Sequence, residues 1–120
     1  MKYLLAIYGN DDVWTSFPPE QWQQVIKDTD AHNAALFASG ELIGAYGVLD
    51  QSEAKKVRVA DGAVVVTDGP YIEAKEYLGS FYVVDCESLE RAIEIAAEMP
   101  AARFTDVEVR PLMNENASDI

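Results

Sequence analysis

The first strand limits most what this chain can fold into. Residues 2–8 read Lys-Tyr-Leu-Leu-Ala-Ile-Tyr and stop at Gly9-Asn10, a β-forming run followed by a break. Side chains alternate across a strand, so Tyr3, Leu5 and Ile7 share one face while Leu4, Ala6 and Tyr8 share the other. Both faces are apolar, and both must be covered. Only two long helices are legible further along, and two helices cover one face of a sheet. A second copy packed face to face covers the other most economically, so the strand predicts a homodimer.

The remaining elements follow from local pattern. Gly9 to Phe17 reads as a loop, and Pro18-Pro19-Glu20 opens a helix, since proline suits a first turn and an acid suits the positive end. On a helical wheel Val25, Ile26, Thr29, Asn33, Leu36 and Phe37 fall within about 60° of Trp22, one stripe expected to be buried. Gly40 caps that helix in the left-handed conformation. Leu42 to Leu49 is a second strand in which Gly44 and Gly47 mark bulges or close approach. Val57–Ala60 and Ala63–Thr67 flank Asp61-Gly62, the signature of a hairpin. Asp68-Gly69-Pro70 is another turn, residues 73–76 are polar, and Ser80 to Asp85 is the next strand. Ser88 caps a second helix with Leu89, Ala92, Ile93, Ala96 and Met99 on its apolar side, and Pro100 stops it. The row Glu90, Glu94 and Glu98 faces water, because like charges one turn apart persist only when solvated. Thr105 to Pro111 alternates as a half-buried last strand.

Strand, helix, strand, hairpin, strand, helix, strand is a ferredoxin-like βαββαβ plan with an inserted hairpin, an α+β fold with an antiparallel or mixed sheet. One domain over residues 1–113 and a polar tail over 114–120 account for the length. A chain of 120 residues, 49% hydrophobic and 25% charged, buries roughly two thirds of its extended surface and needs no staples. Its net charge of -12 repels phosphate backbones and anionic lipid, which argues against nucleic acid or membrane as partner. The single cysteine, Cys86, permits no internal disulfide, and the N-terminal run lacks the length and cleavage pattern of a secretion signal, so the expected location is cytoplasmic.

The run Val66-Thr67-Asp68-Gly69-Pro70-Tyr71-Ile72-Glu73-Ala74-Lys75-Glu76-Tyr77-Leu78-Gly79-Ser80-Phe81 closely resembles the defining motif of the DGPF group of YCII-related proteins. Pro100-Ala101-Ala102-Arg103 with Val107-Glu108-Val109-Arg110-Pro111 resembles the group's second signature. With the starting strand and Ser39-Gly40-Glu41-Leu42, the likeness spans residues 2 to 112. Tyr71 stands where the eponymous phenylalanine is usual, and Ser80 where a second glycine is common. The resemblance implies a dimeric α/β barrel, in agreement with the element order, and no defined reaction. It also implies two directions: the wider relatives are suspected enzymes carrying a His and an Asp at a cleft, a dehydrochlorinase among them, while DGPF proteins often accompany extracytoplasmic-function sigma factors. His32 falls about where the wider group keeps its histidine. The acid of that group's Asp-Pro pair aligns with Met99, so the dyad is incomplete.

Candidate chemistry centres on His32, Asp28 and Asp68. Asp28 lies one turn before His32 on the same helix, where a carboxylate would orient the imidazole as a general base; an ordinary surface pair at the edge of the stripe is the commoner meaning of that spacing. Asp68 is an acid or ligand, or the residue that hydrogen-bonds the backbone of its own turn. Glu73, Lys75 and Glu76 form a lid or a salt-bridged clasp, and Arg103 and Arg110 either clamp a carboxylate or serve internal ion pairs. Tyr8, Tyr46 and Tyr82 read as core or barrel-lining aromatics. Acidic neighbours raise the Cys86 thiol pKa, which argues against a nucleophile. No phosphate loop, nucleophile elbow or paired-cysteine motif is present, and a single histidine cannot build a histidine-rich metal site, although a carboxylate site for a hard cation stays open. No cofactor is expected. Two functions remain: a small-molecule enzyme or binder working by proton transfer in a pocket between the first helix and the sheet, lined by His32, Asp28, Asp68 and aromatic residues, or a non-catalytic dimeric regulatory protein.

Overall fold

A computed structural model describes residues 1–69 and 76–113. In chain order it contains β1 (Lys2–Gly9), α1 (Asp11–Thr15), α2 (Pro19–Ser39), β2 (Leu42–Gly47), β3 (Lys55–Ala60), β4 (Ala63–Asp68), β5 (Tyr77–Asp85), α3 (Leu89–Glu98) and β6 (Val107–Pro111). Four strands form one sheet in the order β2-β5-β1-β6, every pair antiparallel, and β3 pairs with β4 as a separate hairpin. This is the ferredoxin-like α+β plan with the expected insertion, and the sheet is antiparallel rather than mixed. The tail over 114–120, the Pro70 end of the second turn and the polar residues Glu73 and Lys75 lie outside the described residues.

The core is the helix-facing side of this sheet. Register places Val84, Tyr82 and Ser80 beside Tyr3, Leu5 and Ile7, and sets Val109 and Val107 on the other flank of the latter two. Tyr3, Leu5, Ile7, Tyr82 and Val84 are buried against Leu36 of α2 and against Ala92, Ile95, Ala96 and Met99 at the α3 end of the layer. The apolar side of α3 is rotated from the expected one. Ile95 is fully buried while Ile93 is 51% exposed, because the residues facing the sheet follow the 92–95–96–99 spacing rather than 89–93–96. The Ser88 side chain accepts the Arg91 N–H at 3.1 Å, as its capping role requires.

Three boundaries differ from the sequence reading. The segment expected as a loop contains α1, nucleated by the Asn10 side chain accepting the Val13 N–H at 3.0 Å, with Asp11 and Asp12 at the positive end. β5 begins at Tyr77 rather than Ser80, so Gly79 lies inside the strand. β2 ends at Gly47, with a register shift between Leu42 and Gly44 where a bulge was expected. Gly40 does close α2 at φ 79°, and the Gly40 and Glu41 N–H groups bond the Phe37 and Leu36 carbonyls.

No helix among the described residues is long and apolar enough to cross a membrane.

Candidate functional site

The α2 stripe explains the site. Of its apolar members only Leu36 is fully buried, while Ile26 is 57% and Phe37 60% exposed. Expectation had the whole stripe in the core. Instead α2 leans on β2 and on the turn at Pro100–Arg103, and it leaves a space between itself and the sheet, so that Trp22, Val25, Ile26, Thr29 and Asn33 line a cavity of about 520 Å³. Tyr82, Ser80 and Ala45 of the sheet line it as well, together with Met99 to Ala101. Volume and lining suit a one- or two-ring organic molecule.

Two tryptophans also line the cavity. Trp14, on α1, sits against the backbones of Gly9 and Gly79: a Cβ on Gly9 would fall inside the indole, and one on Gly79 would lie 3.2 Å from it. Only glycine permits that seat. The glycine in the family-like motif therefore acts as the floor of an aromatic wall rather than as a break between strands. Trp22 Nε1 donates to the Trp14 carbonyl at 3.2 Å, the two rings lie 6.5 Å apart at 44°, and Phe17 packs edge-on against Trp22 at 5.3 Å. The indole of Trp22 is thus fixed in direction.

The polar groups are few. Tyr82 donates its hydroxyl to Asn33 Oδ1, joining sheet to helix. Burial foremost pushes the Tyr82 pKa up and the charge of Asp30 adds to it, while the Asn33 bond opposes, so near neutrality this phenol stays a protonated donor. At the rim Tyr77 donates to Asp11, a bond that raises its pKa as well. Asp30 and Asp50 also line the cavity, and the Asp50 carboxylate accepts from the Ser52 N–H and hydroxyl. Lys, Arg and His are absent from the lining among the described residues.

The three singled-out residues are not gathered by the fold. Asp28 does not hold His32: its carboxylate accepts from Gln24 at 2.8 Å and from Arg103 at 3.1 Å, and these bonds, Gln24's first, lower its pKa. The competing partner is a guanidinium brought in by the Pro100–Arg103 turn, a permanently charged donor that bonds a carboxylate strongly. His32 is half-buried, its Nε2 has no hydrogen-bond partner, and it lies outside the cavity lining beside Asn33 in sequence. Asp68 pairs with Lys55 at the base of the hairpin. Arg110 pairs with Glu108 at 2.9 Å, so both arginines serve internal ion pairs. Cys86 is buried, which raises its thiol pKa. Sequence reasoning placed Trp22, Thr29 and Asn33 in a core stripe and passed over Trp14, Asp30 and Tyr77. The available signal was the pair of polar residues inside that stripe, since Thr29 and Asn33 suit a cavity wall better than a dry core.

The chain belongs to the YCII-related domain family, whose model matches residues 1–116. It is 31% identical over 114 residues to an uncharacterised protein from Rhizobium meliloti (strain 1021), covering 93% of this chain and 92% of that one. Among solved structures it is similar to 5-chloro-2-hydroxyhydroquinone dehydrochlorinase (TftG) from Burkholderia phenoliruptrix AC1100 in complex with 2,5-dihydroxybenzoquinone, at TM-score 0.50 and 17% identity over 94% of each chain. At that identity the likeness concerns the fold.

Proposed function

We propose that this YCII-related protein is a small-molecule enzyme or binder acting on a planar, one- or two-ring compound held between α2 and the sheet. The carrying observation is the cavity of about 520 Å³ lined by Trp14 and Trp22 and by the hydrogen-bonded Tyr82–Asn33 pair. Aromatic faces bind a flat ring, and a few placed polar groups fix its direction. The dehydrochlorinase complex, a related fold holding a ringed quinone, supports the same class of ligand.

In the catalytic form of this reading Tyr82 supplies a neutral hydrogen-bond donor and Asp30 a carboxylate acceptor, while His32, whose buried Nε2 has no partner and which stands outside the lining, serves as the proton-transfer group only if its ring turns past Asn33 toward the ligand. Asp28 and Asp68 then act through the ion pairs that fix α2 and the hairpin. Met99 supports the alternative, a non-catalytic regulatory dimer: where the resemblance places the dyad's acid, this chain has a core residue 2% exposed.

The homodimer belongs to the same proposal. On the sheet face away from the helices Leu4, Val83 and Phe81 are half-buried, and Tyr46, 61% exposed, stacks near Phe81 at 5.7 Å. Within the protomer no helix covers them, and a second sheet would.

The test is calorimetric titration with single-ring phenols and quinones, 2,5-dihydroxybenzoquinone included, on the parent chain and on Trp22→Ala and Asn33→Leu. Saturable binding weakened by both variants is expected. Binding unaffected by either, or none across the panel, overturns the reading.

A further inference from the structure

The charged side chains that line the cavity among the described residues are Asp30 and Asp50, and both are negative. They come from different walls, Asp30 from α2 and Asp50 from the segment that follows β2. A third carboxylate stands behind the lining, since Tyr77 donates its hydroxyl to Asp11. Bonds from the Ser52 hydroxyl and N–H lower the Asp50 pKa, so this group is ionised near neutrality. The neighbouring cations are directed elsewhere. Arg103, in the same turn as the lining residues Pro100 and Ala101, pairs with Asp28 at 3.1 Å, and Lys55 pairs with Asp68. Lys27, next to Ile26 on α2, is outside the lining, and its charge acts on Asp28.

Both lining phenols register the same field. Burial first and the charge of Asp30 after it raise the Tyr82 pKa, while the bond to Asp11 first, then burial and the charges of Asp11 and Asp50, raise that of Tyr77. A negative charge is disfavoured at both positions. The uncharged walls act in the same direction. Trp14, Trp22, Tyr77 and Tyr82 line the cavity, and an aromatic face attracts a cation within about 6 Å of its centroid, tryptophan most strongly. An anionic ring gives up hydration on entry, a cost that no cation of the described lining offsets. At long range the net charge of -12 draws cations and repels anions.

We infer that the site selects a ring compound bearing a protonated amine, its ring held by the aromatic walls and its ammonium balanced by the Asp30 and Asp50 carboxylates, over a neutral or anionic ring of the same shape. Phenols and quinones fit the same space through ring contacts alone and bind more weakly. The inference deepens the proposed function and rests on it for the cavity as a ligand site. Charge selection can fail while that site stands.

The experiment titrates the full chain with three phenols of nearly equal size, tyramine, 4-ethylphenol and 4-hydroxyphenylacetate, which are cationic, neutral and anionic at pH 7. Binding is read from the indole N–H signals of Trp14 and Trp22, so a cation held elsewhere on an acidic surface is not counted. Tyramine should bind about tenfold more tightly than 4-ethylphenol, and 4-hydroxyphenylacetate more weakly than either. In Asp30→Asn/Asp50→Asn the tyramine advantage should fall to about threefold or less, with the affinity for 4-ethylphenol unchanged. Glu87→Gln/Glu90→Gln removes the same charge from exposed positions outside the lining and should leave the advantage intact. Circular dichroism checks that the variants are folded, and Asp30→Asn alone decides by the same readout if the double variant is not. Equal affinity for the three phenols, or a preferred anion, overturns charge selection and leaves the ligand site standing. An advantage that survives in Asp30→Asn/Asp50→Asn, or falls equally in Glu87→Gln/Glu90→Gln, overturns it as well. Indole signals moved by none of the three overturn the proposed site, and the inference with it.

Discussion

Substituting Gly9 with alanine should expel Trp14 from its seat. The added Cβ would overlap three atoms of the indole, which also lies close over neighbouring Gly79, so either the ring or the end of β1 must move. Overpacking of this kind costs about 1–3 kcal/mol, and overlap with a ring rather than a flexible tip puts Gly9→Ala near the top, about 2–3 kcal/mol. For a domain of this size that lowers the melting temperature by roughly 10 °C. Trp14 is only partly buried, so Trp14→Ala should cost about 2 kcal/mol rather than the 3–5 of a fully buried ring. The two changes share one cause. In Gly9→Ala/Trp14→Ala the methyl occupies vacated space, and the pair should cost little more than Trp14→Ala alone, a coupling of about 2 kcal/mol in a double-mutant cycle measured by urea unfolding. Gly47→Ala is the control, because a Cβ there meets nothing within 4 Å and the backbone has no positive φ. Additivity of the two costs to within about 0.5 kcal/mol would refute the seat.

Ile95→Ala should lose about 2–5 kcal/mol, whereas Phe37→Ala, 60% exposed, should lose under about 1 kcal/mol, and denaturant midpoints separate the two. Tyr82→Phe strips Asn33 Oδ1 of its donor in a largely buried place and should cost about 1–2 kcal/mol, read from the same curves. Glu41 accepts two bonds from Arg91, at 2.8 and 2.9 Å, and the guanidinium holds its carboxyl below the ordinary 4.5. A lowered folded pKa contributes stability that is fully present above 4.5 and is lost as pH falls through the folded value. The melting difference between the parent and Glu41→Gln should therefore be constant above pH 4.5 and shrink below it. His32→Ala, at a half-buried position, should change stability by about 1 kcal/mol or less, and a melt showing several would mark a core histidine.

What was legible in the sequence was what local chemistry decides. Strand one, the Asp61-Gly62 hairpin, the Gly40 cap and the Ser88 cap each depend on neighbours within a few residues, and each stands where pattern put it. Periodicity could not say what a stripe faces. The α2 stripe has the spacing of a core helix, yet most of it borders a cavity, and which way it faces depends on contacts distant in sequence, such as those of α2 with the Pro100–Arg103 turn. The Asp28–His32 spacing failed for the same reason: one turn of helix permits the contact, but Arg103, 75 residues away, decides it. Trp14 was hidden because the seat of its indole is made by two glycines, which carry no side-chain signal.

The cavity as a ligand site is tested most directly by the indole N–H resonances of Trp14 and Trp22 during addition of 2,5-dihydroxybenzoquinone. Both tryptophans line the cavity, and no other tryptophan is present in the chain. Saturable, concerted shifts of the two signals, lost in Asn33→Leu, are the result the account predicts. Signals that stay fixed while amides on the far face of the sheet move would place binding elsewhere and contradict it.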